Sequence, residues 1–197
     1  MIVITADQIA SRTTSDMVAN TVDALNSSFD GKLPHRAERT VGDEIQLMVD
    51  SGATALHVIR DLSRVGRWSI GVGLGDVRMP LGASIRESNG PAFFAARDAV
   101  ERAKKRATHF AVSHNPESPL AGEIEALIDL LLLLREERTG KAWRLYDLLA
   151  EGMTQGEAAK KLGVSAQATS KMSIAWSFRA EEAGTRAAAA QLDRINL

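Results

Sequence analysis

The chain begins with an apolar run that does not alternate with polar residues. Residues 1–6 read MIVITA, and such an uninterrupted β-branched stretch is typical of a central strand buried on both faces. A cluster of capping residues follows, and apolar residues then recur at helical spacing, at Val18, Val22, Leu25 and Phe29. The pattern therefore predicts a strand at residues 1–6 and a first helix at about residues 15–28.

The next segments continue this alternation of strand and helix patterns. After a break at Gly31 and Pro34, the stretch RTVGDEIQLMV (39–49) reads as a hairpin with its turn at Gly42 and Asp43. One apolar helix face then follows, at Ala55, Leu56, Ile59 and Leu62. WSIGVGLG (68–75) reads as a further strand. The order βαββαβ predicts an α+β, ferredoxin-like fold, with a mixed or antiparallel sheet covered by helices on one face.

Two further helices and an edge strand are predicted before the C-terminal region. An alanine-rich helix begins at Pro91 and runs to about residue 108, and residues 109–113 read as an edge strand. Residues 120–138 predict a long helix that is apolar nearly all round. Such a helix must be covered on two sides. Either both sides meet the same chain, or one side forms the seam of a homodimer.

From Lys141 the pattern changes to short helices that are bounded by capping and turn residues. Thr154 and Glu157 are spaced as a capping box, Gly163 allows a tight turn, and Ser165 can cap the helix that follows. The segment MTQGEAAKKLGVSAQATSKM (153–172) resembles a helix-turn-helix of the sigma-factor or response-regulator type. A helical bundle without a DNA partner is the alternative interpretation.

The helix-turn-helix resemblance implies a set of DNA-contacting positions. The second helix of such a motif enters the major groove, and its early exposed residues meet base edges and phosphates. In this chain those positions are Ser165, Ala166, Gln167, Ser170 and Lys171. Thr169 and Met172 should face the core.

The amino-acid composition limits the kinds of site that the protein can contain, but it does not identify one. The chain has 197 residues, of which 45 % are hydrophobic and 25 % charged, as in a folded globular protein. It has no cysteine and four histidines, so disulfides and thiolate sites are excluded and a metal would be bound mainly by oxygen. Residues 1–140 carry 16 Lys/Arg and 19 Asp/Glu, whereas residues 141–180 carry 6 and 3. This small basic excess suits a DNA-contacting module.

No targeting or membrane signal stands out. The first residues lack the basic and long apolar regions of a signal peptide, and the leucine run at 130–134 is too short to span a bilayer. We expect a cytoplasmic protein with no membrane partner. The expected organisation is a ferredoxin-like domain at 1–116, a connecting leucine-rich helix at 117–140, and a helix-turn-helix domain at 141–197.

Four segments of the N-terminal region resemble class III nucleotide cyclases in the same order. They are VITADQIASR (3–12), RTVGDEIQLMV (39–49), SIGVGLGDV (69–77) and NGPAFFAARDAVERAK (89–104). The hairpin is also similar to the GGDEF turn of diguanylate cyclases, which share that palm-like fold. With the C-terminal helix-turn-helix, the whole layout resembles the SatD family of bacterial proteins.

The cyclase resemblance implies a metal and nucleotide site. Asp7 and Asp43 would lie side by side as oxygen ligands for Mg²⁺ or Mn²⁺ bridging nucleotide phosphates. Gly42 would keep the turn open, and the backbone through Ser11 and Arg12 would cradle a triphosphate at the start of the first helix. The alternative is that both carboxylates merely solvate strand ends.

The chain also departs from the cyclases. Arg97 falls where their transition-state arginine lies, so it is the catalytic candidate if the protein is an enzyme, but Phe93 replaces the ribose-orienting asparagine. This favours binding over catalysis. The leading hypothesis is a bacterial DNA-binding, transcriptional regulator whose N-terminal domain senses a nucleotide or metal, and which is a homodimer on double-stranded DNA. The alternatives are a divergent nucleotide cyclase, and a scaffold that binds neither ligand.

Overall fold

The computed structural model describes residues 1–196 of the chain. Within that range the protein is α+β, with one five-stranded sheet and eight helices. The strands are β1 (Ile2–Gln8), β2 (Glu38–Arg39), β3 (Glu44–Val49), β4 (Trp68–Gly75) and β5 (Phe110–Asn115). The helices are α1 (Val18–Ser28), α2 (Gly52–Val65), α3 (Pro91–Ala103), α4 (Pro119–Glu136), α5 (Gly140–Ala150), α6 (Gln155–Leu162), α7 (Ala166–Ala175) and α8 (Phe178–Ile195).

The sheet is mixed and β1 lies at its centre. The strand order is β2-β3-β1-β4-β5, in which β1 is antiparallel to β3 and β4, and β5 joins the edge parallel to β4. Residues 2–4 of β1 are fully buried. The element order βαββαβ, the central strand and the edge strand predicted from the sequence are confirmed.

Helices cover both faces of the sheet, so the expectation of helices on one face is wrong. Ile2 and Ile4 pack into a core with residues of α2, α4 and α8, whereas Val3 joins a second cluster with Ala92 and Ala96 of α3. Successive residues of a strand point to opposite faces. A strand that is apolar on both faces therefore requires a covering layer on each.

Two glycines in β4 allow α3 to approach the sheet closely. A Cβ at Gly71 would lie 2.2 Å from the backbone nitrogen of Val100, and one at Gly73 would lie 2.1 Å from the carbonyl oxygen of Ala92. Any larger residue at these positions would push α3 away. The glycine alternation within WSIGVGLG is thus a packing requirement.

Two predicted helix boundaries are shifted in the structure. α1 begins at Val18 because the Asp16 carboxylate accepts a hydrogen bond from the Val18 amide at 2.9 Å. α3 ends at Ala103 rather than near residue 108. Turns follow, and His109 adopts a left-handed φ of 50° directly before β5, which helical backbone does not allow.

The last helix returns to the sheet region. Ala188 and Leu192 of α8 belong to the core of the sheet, and the Gly52 amide at the start of α2 donates to the Asp193 carboxylate at 2.6 Å. A separate small core contains Leu145 and Phe178. The residues predicted as one helical domain, 141–197, thus contribute to two cores.

Candidate functional site

The two aspartates predicted as metal ligands lie at one end of the sheet. Asp7 stands opposite Glu44 in the β1–β3 register, and the Gln8 amide donates to the Asp43 carbonyl oxygen at 3.2 Å. The negative charge of Asp43 helps to raise the pKa of Asp7. Asp7 and Asp43 are therefore neighbours, as the sequence predicts.

A lysine already neutralises Asp7. The Lys104 Nζ lies 3.0 Å from Asp7 Oδ2 and 2.7 Å from Glu101 Oε1. Burial raises the pKa of Asp7 more than Asp43 does, while Lys104 opposes the shift. Burial lowers the pKa of Lys104, but its hydrogen bonds to Glu101 and Asp7 outweigh this and raise that pKa. Sequence reasoning missed Lys104, because 97 positions separate it from Asp7.

Arg97 reaches the same end of the sheet from α3. Its Nη2 lies 3.9 Å from Glu44 Oε1, and its side chain is 67 % exposed. The Thr40 hydroxyl donates to the same Glu44 oxygen at 2.5 Å. Arg97 and Glu101 lie on one face of α3 and Lys104 follows directly after the helix, so alternating charges meet the carboxylates. Phe93 instead packs against the cluster of Val3.

These residues meet only some of the requirements of a cation-binding site. Across residues 1–196, no group of three or more His, Asp or Glu side chains is arranged to hold a metal ion. Mg²⁺ often uses only one or two protein carboxylates when phosphates supply further oxygens, which Asp7 and Asp43 satisfy. Lys104 competes for Asp7, so a metal would have to displace it.

The predicted phosphate cradle differs from the structure. Ser11 and Arg12 lie in a turn that begins with Ala10 in a left-handed conformation, and the amides of Thr13 and Thr14 donate to the Ala10 carbonyl oxygen. These amides are thus already paired. The first helix begins only at Val18, so Ser11 and Arg12 are not at its N-terminus, and that expectation is wrong.

A buried glutamine fixes the segment that follows the turn. Gln8 is 3 % exposed, its amide donates to the Ser15 carbonyl oxygen at 2.8 Å, and its oxygen accepts from the Met17 amide at 2.9 Å. Gly42 has a φ of 63°, and its carbonyl oxygen accepts a hydrogen bond from the Arg39 side chain. The same arginine forms a salt bridge with the Asp16 carboxylate at 2.7 Å. The hairpin turn and the start of α1 are therefore tied together.

The helix caps and the glycine turn predicted for α6 and α7 are present. The Thr154 hydroxyl accepts from the Glu157 amide, and the Glu157 carboxylate accepts from the Thr154 amide at 2.8 Å. The backbone bond to Thr154 lowers the pKa of Glu157. Gly163 ends α6 with a left-handed φ of 65°, and Ser165 caps α7 by accepting from the Ala168 amide at 3.1 Å.

The predicted DNA-contacting positions share one surface of α7. Ser165, Ala166, Gln167 and Lys171 are exposed, and Ser170 is half-buried. Thr169 is fully buried, and its hydroxyl donates to the Ala166 carbonyl oxygen at 2.8 Å, as predicted for a core residue. Ile174 is 76 % exposed, and the sequence analysis did not single it out.

A buried ion cluster joins α4 to α8. Arg135 Nε donates to Glu181 Oε1 at 2.6 Å, and Arg138 pairs with the other oxygen of Glu181. Both Glu181 and the Arg138 side chain are 0 % exposed. Three aromatic rings surround the Arg138 guanidinium, those of Trp143, Tyr146 and Phe178. The sequence analysis did not single out these two arginines or Glu181.

A second contact joins α2 to α5. Arg64 Nη1 donates to both carboxylate oxygens of Asp147, at 3.0 and 2.9 Å. The Arg64 guanidinium lies 4.6 Å from the centre of the Trp143 ring. The Arg138 guanidinium lies 4.5 Å from the centre of the same ring. Trp143 is thus contacted by arginines from both α2 and the end of α4.

The leucine-rich helix is covered by its own chain on two sides and exposed on a third. Leu131 and Leu132 are only 5 % and 7 % exposed, whereas Leu130 and Leu133 are 65 % and 52 % exposed. Leu131 reaches α8, where its Cδ2 would lie 3.0 Å from a Cβ at Gly184. The intrachain covering accounts for the buried leucines and leaves more than half of the surface of Leu130 and Leu133 exposed.

Comparison with family models, curated proteins and solved structures gives no match. Among the described helices, none is long and apolar enough to cross a membrane. The functional argument therefore depends on the residues themselves.

Proposed function

We propose that this protein is a bacterial DNA-binding, transcriptional regulator of the SatD type. In this proposal α6 and α7 form a helix-turn-helix, and residues 1–116 form a ferredoxin-like, cyclase-like domain that senses a nucleotide or a metal. The observation that carries it is the pair of short helices with a capping box, a left-handed glycine turn and a serine cap. Those features hold two helices at a fixed angle, as a groove-reading motif requires.

The exposed face of α7 supplies the DNA chemistry. Gln167 is exposed one turn before Lys171, so both side chains project from the same side of the helix. Glutamine can bond an adenine edge in the major groove, while lysine can contact a phosphate or a guanine. The α6 residues Lys160 and Lys161 are also exposed and add positive charge beside this face.

The acidic end of the sheet supports the sensing half of the proposal. Asp7 and Asp43 are adjacent, Lys104 directly after α3 binds Asp7, and Arg97 of α3 lies 3.9 Å from the neighbouring Glu44. A nucleotide brings both phosphates and a cation, so it would match both charge types at this site. Mg²⁺ or Mn²⁺ would be held by the two aspartates and would neutralise phosphate charge.

The arginine contacts couple the sheet region to the C-terminal helices. Arg64 of α2 holds α5, and Glu181 of α8 holds both Arg135 and Arg138 at the end of α4. The Glu181 pairs are buried and tolerate little displacement, because separation leaves a charge unpaired, whereas the side chains of Arg64 and Asp147 are each 36 % exposed. A ligand that moves α2 or α4 would therefore shift the helices that contact DNA.

The proposed regulator acts as a homodimer. Leu130 and Leu133 lie three residues apart on one face of α4 and expose 65 % and 52 % of their surface. Pairing that face with a second copy would remove this apolar surface from water and would place two DNA-reading helices in one particle.

A binding selection tests the function. Full-length protein is incubated with a random pool of double-stranded DNA, and bound sequences are enriched over several rounds at moderate salt. We expect a defined sequence motif, and we expect Gln167→Ala to bind that motif more weakly. The same selection with Gln155→Ala is the control, because Gln155 is exposed on α6 and outside the proposed reading positions. A pool that stays random would contradict the proposal.

The second candidate function is a divergent nucleotide cyclase, and the position of Arg97 favours it. Arg97 projects toward the carboxylate end of the sheet, where a transition-state arginine would be needed. Incubation with ATP or GTP and Mg²⁺ or Mn²⁺, followed by analysis for cyclic products, distinguishes the candidates. Product that disappears in both Asp43→Ala and Arg97→Ala would establish the enzyme.

A further inference from the structure

A cavity of about 490 Å³ lies between the sheet and the C-terminal helices. Its walls come from α2, β4, the end of α4 and the start of α5, and they include Trp68, Ile70, Leu132, Leu133 and Trp143. Cavities of this volume with mainly apolar walls are the usual sites for small molecules, and they often occur where two structural units meet. The aspartate end of the sheet does not contribute Asp7 or Asp43 to it.

Two polar groups in this wall have no hydrogen-bond partner. The indole Nε1 of Trp68 and the Nε of Arg138 are buried without an acceptor. Trp68 is 2 % exposed and the Arg138 side chain 0 % exposed. Buried donors are normally paired, because an unpaired donor loses its hydrogen bonds to water. Neither atom has exposed surface, so an acceptor in the cavity reaches them only after the surrounding side chains shift.

The same wall carries an excess of buried positive charge. Arg135 and Arg138 both border the cavity, and both pair with the single carboxylate of Glu181. Two buried guanidiniums thus share one negative charge, and the aromatic rings around Arg138 compensate only part of the difference. Glu136 also borders the cavity but is exposed, so water screens its charge.

We propose that this cavity is an effector site for a small molecule with an apolar ring or acyl body and a carboxylate. The body would lie against Trp68, Trp143 and Leu132. The carboxylate would lie beside the arginines that border the cavity and balance the charge of the second guanidinium. This site is separate from the nucleotide site of the proposed function, and neither proposal depends on the other.

The location gives such a ligand a means of control. It would contact α2 and the end of α4 on one side and α5 on the other. Trp143 is the shared element, since it lies in the wall and contacts both Arg64 and Arg138. Binding would therefore change how firmly the C-terminal helices are held against the sheet region.

The test uses 2-naphthoate as the probe, titrated into the full-length protein by isothermal calorimetry. 2-Naphthalenemethanol, which has the same ring without a charge, is the comparison compound. We expect naphthoate to bind and to do so about tenfold more tightly than the alcohol, because a charge-assisted hydrogen bond is stronger than a neutral one. Absence of naphthoate binding at millimolar concentration, or equal binding of both compounds, would overturn the proposal.

Blocking substitutions locate the site. Ala107→Trp places a large side chain at the wall on a surface position, and Leu133→Trp does so at a wall residue that also belongs to the proposed dimer face, whereas Ala126→Trp changes an exposed residue of α4 outside the cavity. Circular dichroism first verifies that each variant is folded. We expect at least one blocking variant to lose about tenfold in naphthoate affinity, with the affinity of the Ala126→Trp control unchanged. Unchanged affinity in both blocking variants would overturn the location.

Discussion

Arg135 of α4 donates its Nε to Oε1 of Glu181 in α8 across 2.6 Å, in an environment where the glutamate is fully buried. The two residues are 46 positions apart, so this contact fixes the C-terminal helix against the leucine-rich helix. Arg138 binds the other oxygen of Glu181. A single carboxylate therefore determines the relative position of two helices and of the small core beside them.

The first prediction concerns that carboxylate. Glu181→Gln leaves two buried guanidiniums without a counter-charge, and removal of one partner from a buried ion pair costs about 3–5 kcal/mol. We expect the free energy of unfolding to fall by about that amount in urea denaturation followed by circular dichroism. Glu182→Gln is the control, because Glu182 is 68 % exposed, pairs with Arg186, and should contribute less than about 1 kcal/mol. Equal effects of the two substitutions would contradict the account.

The second prediction concerns pH. Burial raises the pKa of Asp7 above its ordinary value of 3.8, so the folded protein retains that proton at pH values where the unfolded chain has lost it. The stability contribution of Asp7 is therefore complete below the unfolded pKa and is lost as pH rises through the folded one. The Tm of the wild type minus that of Asp7→Asn should fall as pH increases above 3.8. A difference that grows with pH would mean that Lys104 outweighs burial.

The third prediction concerns divalent metal. Mg²⁺ or Mn²⁺ should raise the Tm, and more so with nucleotide present, because a ligand that binds only the folded state stabilises it. Asp43→Asn should abolish this rise, whereas Asp30→Asn, in an exposed turn, should not. The Tm is measured by differential scanning fluorimetry.

Lys104 sharpens the same test. The Lys104 ammonium group forms a salt bridge with the Asp7 carboxylate. Lys104→Met should therefore leave that carboxylate available to a metal ion and enlarge the metal-induced rise in Tm. If metal and nucleotide leave the Tm of the wild type and of Lys104→Met unchanged, the two aspartates only solvate a turn and the sensing hypothesis is wrong.

The fourth prediction concerns oligomeric state. Leu130→Glu with Leu133→Glu should convert a dimer to a monomer, as measured by sedimentation velocity at tens of micromolar. Leu131 and Leu132 are unsuitable for this test, because they are buried in the chain's own core and a charge there would unfold it. Phe94→Glu is the control, since Phe94 is similarly exposed but lies on α3. A wild type that sediments as a monomer would contradict the dimer.

Local signals in the sequence were sufficient for the elements and for part of the site. An unbroken apolar run marked β1, and the capping box and glycine turn marked α6 and α7, because these features depend on residues a few positions apart. Contacts between distant segments could not be predicted in this way. Lys104 beside Asp7 and Glu181 between Arg135 and Arg138 depend on how whole helices pack.

The alanine-rich α8 shows the same limit. Its apolar residues recur on one face of the helix, but this pattern does not show that Ala188 and Leu192 pack in the core of the sheet. A Cβ at Gly52 would lie 2.3 Å from the Ala189 carbonyl oxygen, so close approach of the backbones is what joins α8 to α2. An amphipathic pattern predicts that a helix has a buried face, but it does not predict which element covers that face.

DNA binding by α7 is the central claim, and the salt dependence of that binding tests it most directly. Fluorescence anisotropy is measured with selected duplex DNA at several salt concentrations for the wild type, Lys171→Ala and Lys105→Ala. Lys105 is an exposed lysine beyond α3, so it controls for the loss of one charge. We expect Lys171→Ala alone to weaken binding and to reduce the salt slope by about one, as loss of one phosphate contact predicts. Identical isotherms and slopes for all three proteins would contradict the assignment of α7 as the DNA-reading helix.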